Sequence, residues 1–425
     1  MVDIFHALGV DAVVLGNHEF DLGEQVLRDR ISESRFPWLG TNVQRDGQPF
    51  PGVLPHMVVE RDGIRIGLFG VCTAATRHLS WPEEDTAFED VEEISRQCVK
   101  VLREEEKVDL VVALTHISIA EDKQLAQNVD GIDIILGGHD HHPYMEQIRS
   151  TWIMKAGHDA QFLGRADVLI RTTTTTTSGV PKPSVVTDII CSGGVESNMG
   201  YAPDPDVMEV VEKYKVSSGD PKETFAVTKV PLVSTTNIVR MSEGSMPNLV
   251  ADAMRHSLHA DIGTINGGFV RGDAVYPAGH RIRRLDLERE LPFPCPTTKI
   301  AIKGIHIWKG LDEVLSHTPN LSGAFPHVSG IQVRFDPSAE PGARVRSIEF
   351  DDPSRTFDTE ETYTMALTTF QAEGGDGLTE WPKGKLVPHP NTGRKVFDVV
   401  VQYLKTMQLV GEIKNNGKRM QPIEK

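Results

Sequence analysis

The sequence predicts an α/β protein in two parts, a layered sheet domain followed by a second α/β domain, and three observations carry that reading. Short apolar runs at 11–15, 63–71, 109–114, 132–136 and 151–156 read as buried strands. A helical stretch at 91–107 separates two of them, and strands alternating with helices imply a sheet covered by helices. A turn-rich break at 201–206 then sets this half apart from one with glycine-rich loops of its own.

Taken in order, residues 1–10 read as an amphipathic helix that stops at Gly9. They lack the basic stretch, apolar core and small-residue cleavage pattern of a signal peptide. A helix entering a strand, with no strand before it, is an odd opening for a βαβ architecture, so the chain is expected to start inside a domain. The strand at 11–15 runs into Gly16, Asn17, His18, Glu19, Phe20 and Asp21. The strand at 109–114 leads to Thr115 and His116, and that at 132–136 leads to Gly137, Gly138, His139, Asp140, His141 and His142. Ligands of open α/β sheets collect outside the carboxyl ends of the strands, so Asn17, His18, His116, His139 and His141 are offered to one rim. His142 and His158 lack that support and read as surface residues.

The threonine tract at 172–177 and the Gly/Pro segment after it read as a polar loop between strands. Residues 206–214 read as a short connecting helix, which gives expected limits of 1–201 for the first domain, 202–221 for a linker, 222–415 for the second domain and 416–425 for a tail. In the second domain, 265–271 and 372–377 are glycine-rich loops, and neither is a dinucleotide fingerprint or a P-loop.

Composition narrows the function. With 425 residues, 39% hydrophobic and 24% charged, the chain is an ordinary globular one with room for two or three cores. A formal net charge of −16 argues against a general nucleic-acid-binding surface, since phosphate backbones are held by clustered Lys and Arg. No apolar run reaches the roughly 18 residues of a membrane span. The four cysteines, Cys72, Cys98, Cys191 and Cys295, are far apart and suggest neither a disulfide framework nor a zinc site. Oligomeric state and compartment have no signature here.

Imidazole nitrogens with an amide oxygen suit Zn, Mn, Fe or Ni, and a His-x-His on one loop can serve two metals about 3.5 to 4 Å apart. A lone histidine after a strand is more often packed or exposed. Here Asn17, His116, His139 and His141 all fall at predicted strand ends, and coincidence becomes the poorer account. The order Asn17 to Asp21 after an apolar strand, then Thr115-His116, then Gly137 to His141, resembles the calcineurin-like metallophosphoesterase domain of the 5′-nucleotidase family. Residues 248–252, 265–271, 291–293 and 370–377 resemble that family's nucleotide-recognising carboxyl-terminal domain.

The resemblance implies a metallophosphoesterase sheet domain and a substrate-binding domain. It makes Asn17, His116 and His139 ligands of one divalent metal and His141 a ligand of a second, the ions being Zn, Mn, Mg or similar. It makes His18 the catalytic histidine and Asp21 its orienting carboxylate. In the second domain it assigns Arg240, Asn266 and Arg271 to phosphate or ribose, Phe293 and Phe370 to a base between them, and Asp376 to ribose. The implied reaction is hydrolysis of a nucleoside 5′-monophosphate to nucleoside and phosphate by a two-metal hydroxide mechanism. Alternatives are a sugar-phosphate or cyclic-nucleotide phosphoesterase, or a catalytically silent nucleotide-binding protein. Members of that family open on a strand with an Asp-x-His pair and a Gly-Asp motif that bridges the metals, and this sequence begins after both. Four neutral ligands would face four positive charges, so the absent carboxylates are expected upstream of Met1, with at most one metal held tightly by the chain as given.

Overall fold

In the computed structural model the described residues are 1–173, 176–177, 180–181, 185–215 and 219–423. They form two compact units, Met1–Val216 and Ser217–Lys425.

The first unit is built on a six-stranded sheet in the order Pro143–Ile148, Thr151–Ala156, Ile134–Gly137, Leu110–His116, Ile64–Cys72, His56–Arg61. The four central strands are parallel and the two outer ones antiparallel. Their runs of β-branched and leucine residues follow from burial on both faces. Val111, Ala113, Ile135 and Ile153 point into a core with Val99, Leu102 and Leu125 from the helices Val91–Lys100 and Ile119–Asn128 and the turn between. Leu110, Val112 and Ile134 point the other way, onto Val168, Ile170 and Ile189 of a long antiparallel hairpin, Phe162–Thr173 with Val185–Ser197. Parallel strands put their carboxyl ends on one edge, so His116, Gly138 and Gly157 emerge side by side.

Most local expectations fall within a residue or two of what forms. The opening helix is Val2–Leu8, and Gly9 closes it at φ 68° with its N–H returned to the last turn. The strand expected at 11–15 is only Val13–Val14, and it joins not the main sheet but a small parallel one with Trp38–Leu39 and Val53–Leu54. The helix expected at 91–107 is α-helical over Val91–Lys100 and turns π-helical over Val101–Glu105. The threonine tract lies partly outside the described residues. The connecting helix forms as Pro205–Lys215 and rests on the opening helix, where the Tyr214 hydroxyl donates to Asp3 Oδ2 at 2.6 Å.

The second unit holds a five-stranded sheet in the order Pro326–Ser329, Ile262–Asn266, Thr362–Thr368, Thr297–Lys303, Lys385–Leu386. Helices Ser245–Ser257 and Val396–Met407 cover one face, and Gly304–Leu315 covers the other. The stretch expected as a tail is structural instead. Met420–Pro422 pairs parallel with Ile331–Phe335, and Arg419, 1% exposed, forks onto Asp252 at 2.8 and 2.9 Å. A guanidinium is buried only when its donors are matched, and a bidentate carboxylate matches them. Among the described residues no helix is long and apolar enough to cross a membrane.

Candidate functional site

Register brings the rim residues of the first unit together. Gly137 lies opposite Thr115 on one neighbour and Lys155 on the other, and Cys72 lies opposite His116. The loop after Gly137 turns sharply because His139 takes φ 70°, a left-handed conformation that non-glycine residues avoid. The His139 ring then stands edge-on to His116, with centroids 5.2 Å apart. From the other side the short helix Asn17–Phe20 inserts the buried Asn17, whose Oδ1 is 2.9 Å from His116 Nε2. Gly16 makes this approach possible: a Cβ there would meet the His116 ring at 2.8 Å and Glu19 Oε2 at 2.9 Å.

Electrostatics keeps these imidazoles neutral. Burial, then repulsion from His139, His18 and Lys155, brings His116 down to about 3, and burial lowers His139 as well. The partly buried Glu19 carboxylate accepts from the Gly16 N–H at 2.6 Å, and desolvation pushes its carboxyl up. The His18 side chain is 43% exposed, with Nδ1 bonded to Asp21 Oδ2 at 2.9 Å. The other oxygen of Asp21 accepts from the Ser80 hydroxyl at 2.7 Å. His141 sits farther along the loop, its ring 4.7 Å from that of His158, which is half-buried and not the surface residue expected.

A divalent ion suits part of this arrangement. Asn17 Oδ1 and His116 Nε2 lie 2.9 Å apart, and an amide oxygen and an imidazole nitrogen so placed would both be available to one ion. His116 would meet an ion through a bare Nε2, its one ring proton being carried on Nδ1 in that tautomer, and a neutral histidine is the form that can do so. With His139 the set is two imidazoles and an amide oxygen. Among the described residues no three His, Cys, Asp or Glu side chains are grouped as a metal site.

The second unit gathers its own expected residues. Asn266, at the end of Ile262–Asn266, donates to Asp376 Oδ2 at 2.8 Å and to the Gly323 carbonyl at 3.3 Å, while its own Oδ1 is buried with no partner among the described residues. Asp376 is held at φ 59°, and burial pushes it up to about 6 against the pull of Asn266, Arg240 and Arg271. The Arg271 guanidinium lies over the Phe293 ring at 5.2 Å, and Phe269 meets that ring edge-on at 5.4 Å. Phe370 lies flat against Gly375, where a Cβ would come within 2.4 Å of the ring.

Sequence reasoning missed Ser80, Lys155, Asp122 and Phe269. Lys155 had a signal, a lysine within an otherwise apolar strand, whereas Ser80 had none, because it meets Asp21 from 59 positions away.

A sheet with histidines at the ends of its parallel central strands, followed by a second α/β unit, is the architecture of a metallophosphoesterase domain joined to a second, carboxyl-terminal domain. Residues 3–143 match the family described as calcineurin-like phosphoesterase, which is metal-dependent, and residues 224–383 match the 5′-nucleotidase, C-terminal domain. The chain belongs to the 5′-nucleotidase family. It is 30% identical over 429 residues to the trifunctional nucleotide phosphoesterase protein YfkN of Bacillus subtilis, covering 88% of this chain but spanning only 28% of that protein's length. It is 27% identical over 451 residues to the snake venom 5′-nucleotidase of Gloydius brevicauda, covering 96% of this chain and 74% of that one. The crystal structure of a 5′-nucleotidase precursor from Thermus thermophilus superposes with a TM-score of 0.85 at 27% identity, covering 100% of this chain and 86% of the other.

Proposed function

We propose that this chain hydrolyses phosphate monoesters, with nucleoside 5′-monophosphates as its substrate class. The observation that carries the reading is the 2.9 Å approach of Asn17 Oδ1 to His116 Nε2 beside the His139 ring, in a family of metal-dependent phosphoesterases. Asn17, His116 and His139 hold one divalent ion, and His141 contributes to a second. Such ions polarise phosphoryl oxygens and make water nucleophilic near neutral pH. His18 faces the phosphate and stabilises the negative charge that develops on it, and the carboxylate of Asp21 fixes its ring. In the second unit, Arg240, Asn266 and Arg271 take phosphate or ribose oxygens, Asp376 takes a ribose hydroxyl, and Phe293 and Phe370 hold the base. The Asn266 Oδ1 that has no partner among the described residues, and the guanidinium already seated over Phe293, support this assignment. This reading assigns catalysis to 1–201 and recognition to 222–415, with 202–221 joining them.

The test is phosphate release by the full chain from nucleoside monophosphates, sugar phosphates and cyclic nucleotides, with Zn²⁺, Mn²⁺ or Mg²⁺ and after chelation. Turnover of nucleoside monophosphates that chelation abolishes, with selectivity reduced by Phe293→Ala and Phe370→Ala, is expected. Preference for sugar phosphates or cyclic nucleotides would replace the substrate class. Nucleotide binding without turnover at saturating metal would replace the enzyme with a silent binding protein.

A further inference from the structure

A buried ammonium lies directly beneath the rim. Lys155, fully enclosed in the strand Thr151–Ala156, sends its three N–H bonds to the Ile117 carbonyl at 2.7 Å, the Gly138 carbonyl at 2.8 Å and Asp140 Oδ2 at 2.6 Å. Asp122 Oδ2 stands 2.8 Å away as a second counter-charge, and its other oxygen accepts from the Thr115 hydroxyl at 2.7 Å. These partners flank the proposed ligands: Ile117 follows His116, while Gly138 and Asp140 bracket His139. Gly137 keeps the space open, since a Cβ there would stand 3.0 Å from Lys155 Cε, Asp122 Oδ2 and Thr115 Oγ1 alike.

His139 needs such support. A histidine at φ 70° is locally strained and persists only where its surroundings over-determine it. A buried charge is itself costly unless paired, so a lysine here must gain from being bound on every side. We infer that Lys155 is a positioning residue for the metal ligands, clamping the peptides beside His116 and His139 so that the two imidazoles converge on one ion. The inference rests on the reading of the rim as a metal site.

The test uses the full chain and Co²⁺ as probe, read by calorimetry and by the visible absorption bands that report coordination geometry. Lys155→Met is expected to bind Co²⁺ about 10- to 100-fold more weakly, with altered bands and an otherwise cooperative unfolding transition. A folded Lys155→Met with wild-type affinity and bands overturns the clamp. If that variant does not fold, Asp140→Ala and Asp140→Asn decide: Ala weak with Asn restored supports it, and Ala unchanged, or Asn as weak as Ala, overturns it. His116→Ala and His139→Ala separate the two readings, because wild-type Co²⁺ binding in both would overturn the rim as a metal site, and with it the clamp, whatever Lys155→Met does.

Discussion

His327 is fully enclosed in the second unit, with Nε2–H donating to the Val239 carbonyl at 2.9 Å and Nδ1 accepting from the Gly244 N–H at 3.4 Å. Both nitrogens are therefore used in the neutral ring, and burial lowers its pKa from 6.5 to about 4. A folded pKa below the unfolded one means that the unfolded chain binds the extra proton first. Stability from this group is complete above about pH 6.5 and is lost as pH falls toward about 4, by about 3 kcal/mol over that window. Denaturant midpoints between pH 7 and pH 4 should fall more steeply for wild type than for His327→Gln. Equal slopes would remove His327 from the acid response. Ser80 gives a second prediction at this scale. Its hydroxyl fixes Asp21 Oδ1, leaving Oδ2 for His18. Ser80→Ala should lower kcat about fivefold, the value of about 1 kcal/mol of lost hydrogen bonding, with KM unchanged. A rise in KM alone would place Ser80 outside the orientation of His18.

Among the elements, the helix Gly304–Leu315 sets two rules against each other. Alanine in place of Gly310 should favour the helix by about 1 kcal/mol. The same methyl would stand 2.0 Å from Nε1 of Trp381, a fully buried ring in the facing segment. Overpacking a core costs typically about 1 to 3 kcal/mol and more where nothing can yield, so the clash wins. Gly310→Ala should lower the unfolding temperature of the chain, and an increase would show that the indole moves aside. The same reasoning explains the strand Ile134–Gly137, whose last residue must be small because Lys155 and Asp122 fill the space beside it.

For the molecule as a whole, a bound ion is a folding ligand. Any species that binds the native chain alone stabilises it by about 2.7 kcal/mol at one hundred times its dissociation constant. Zn²⁺ or Mn²⁺ should therefore raise the unfolding temperature, chelation should reverse the rise, and His116→Ala should abolish it. A rise of wild-type size in His116→Ala would move metal binding away from the rim. The net charge of −16 adds a weak, salt-dependent attraction for any divalent cation, so the comparison belongs at physiological ionic strength, where surface charges are screened within about 8 Å.

The sequence by itself determined the strand-and-helix order, the side chains at the strand ends and the division into two α/β parts, because apolar periodicity and turn residues act between near neighbours. The runs at 109–114 and 132–136 could be read as buried strands, and His116 and His139 fall just past their ends. Only the tertiary structure decided which side chains meet. That Val13–Val14 leaves the main sheet, that Gly137 lies between Thr115 and Lys155, and that Asp252 waits for Arg419 across 167 positions all depend on register and packing between distant segments. A buried charge makes the point physically. Lys155 in an apolar strand is costly alone, and its carboxylates at 122 and 140 reach it from a helix and a loop that join the strand only when the chain folds.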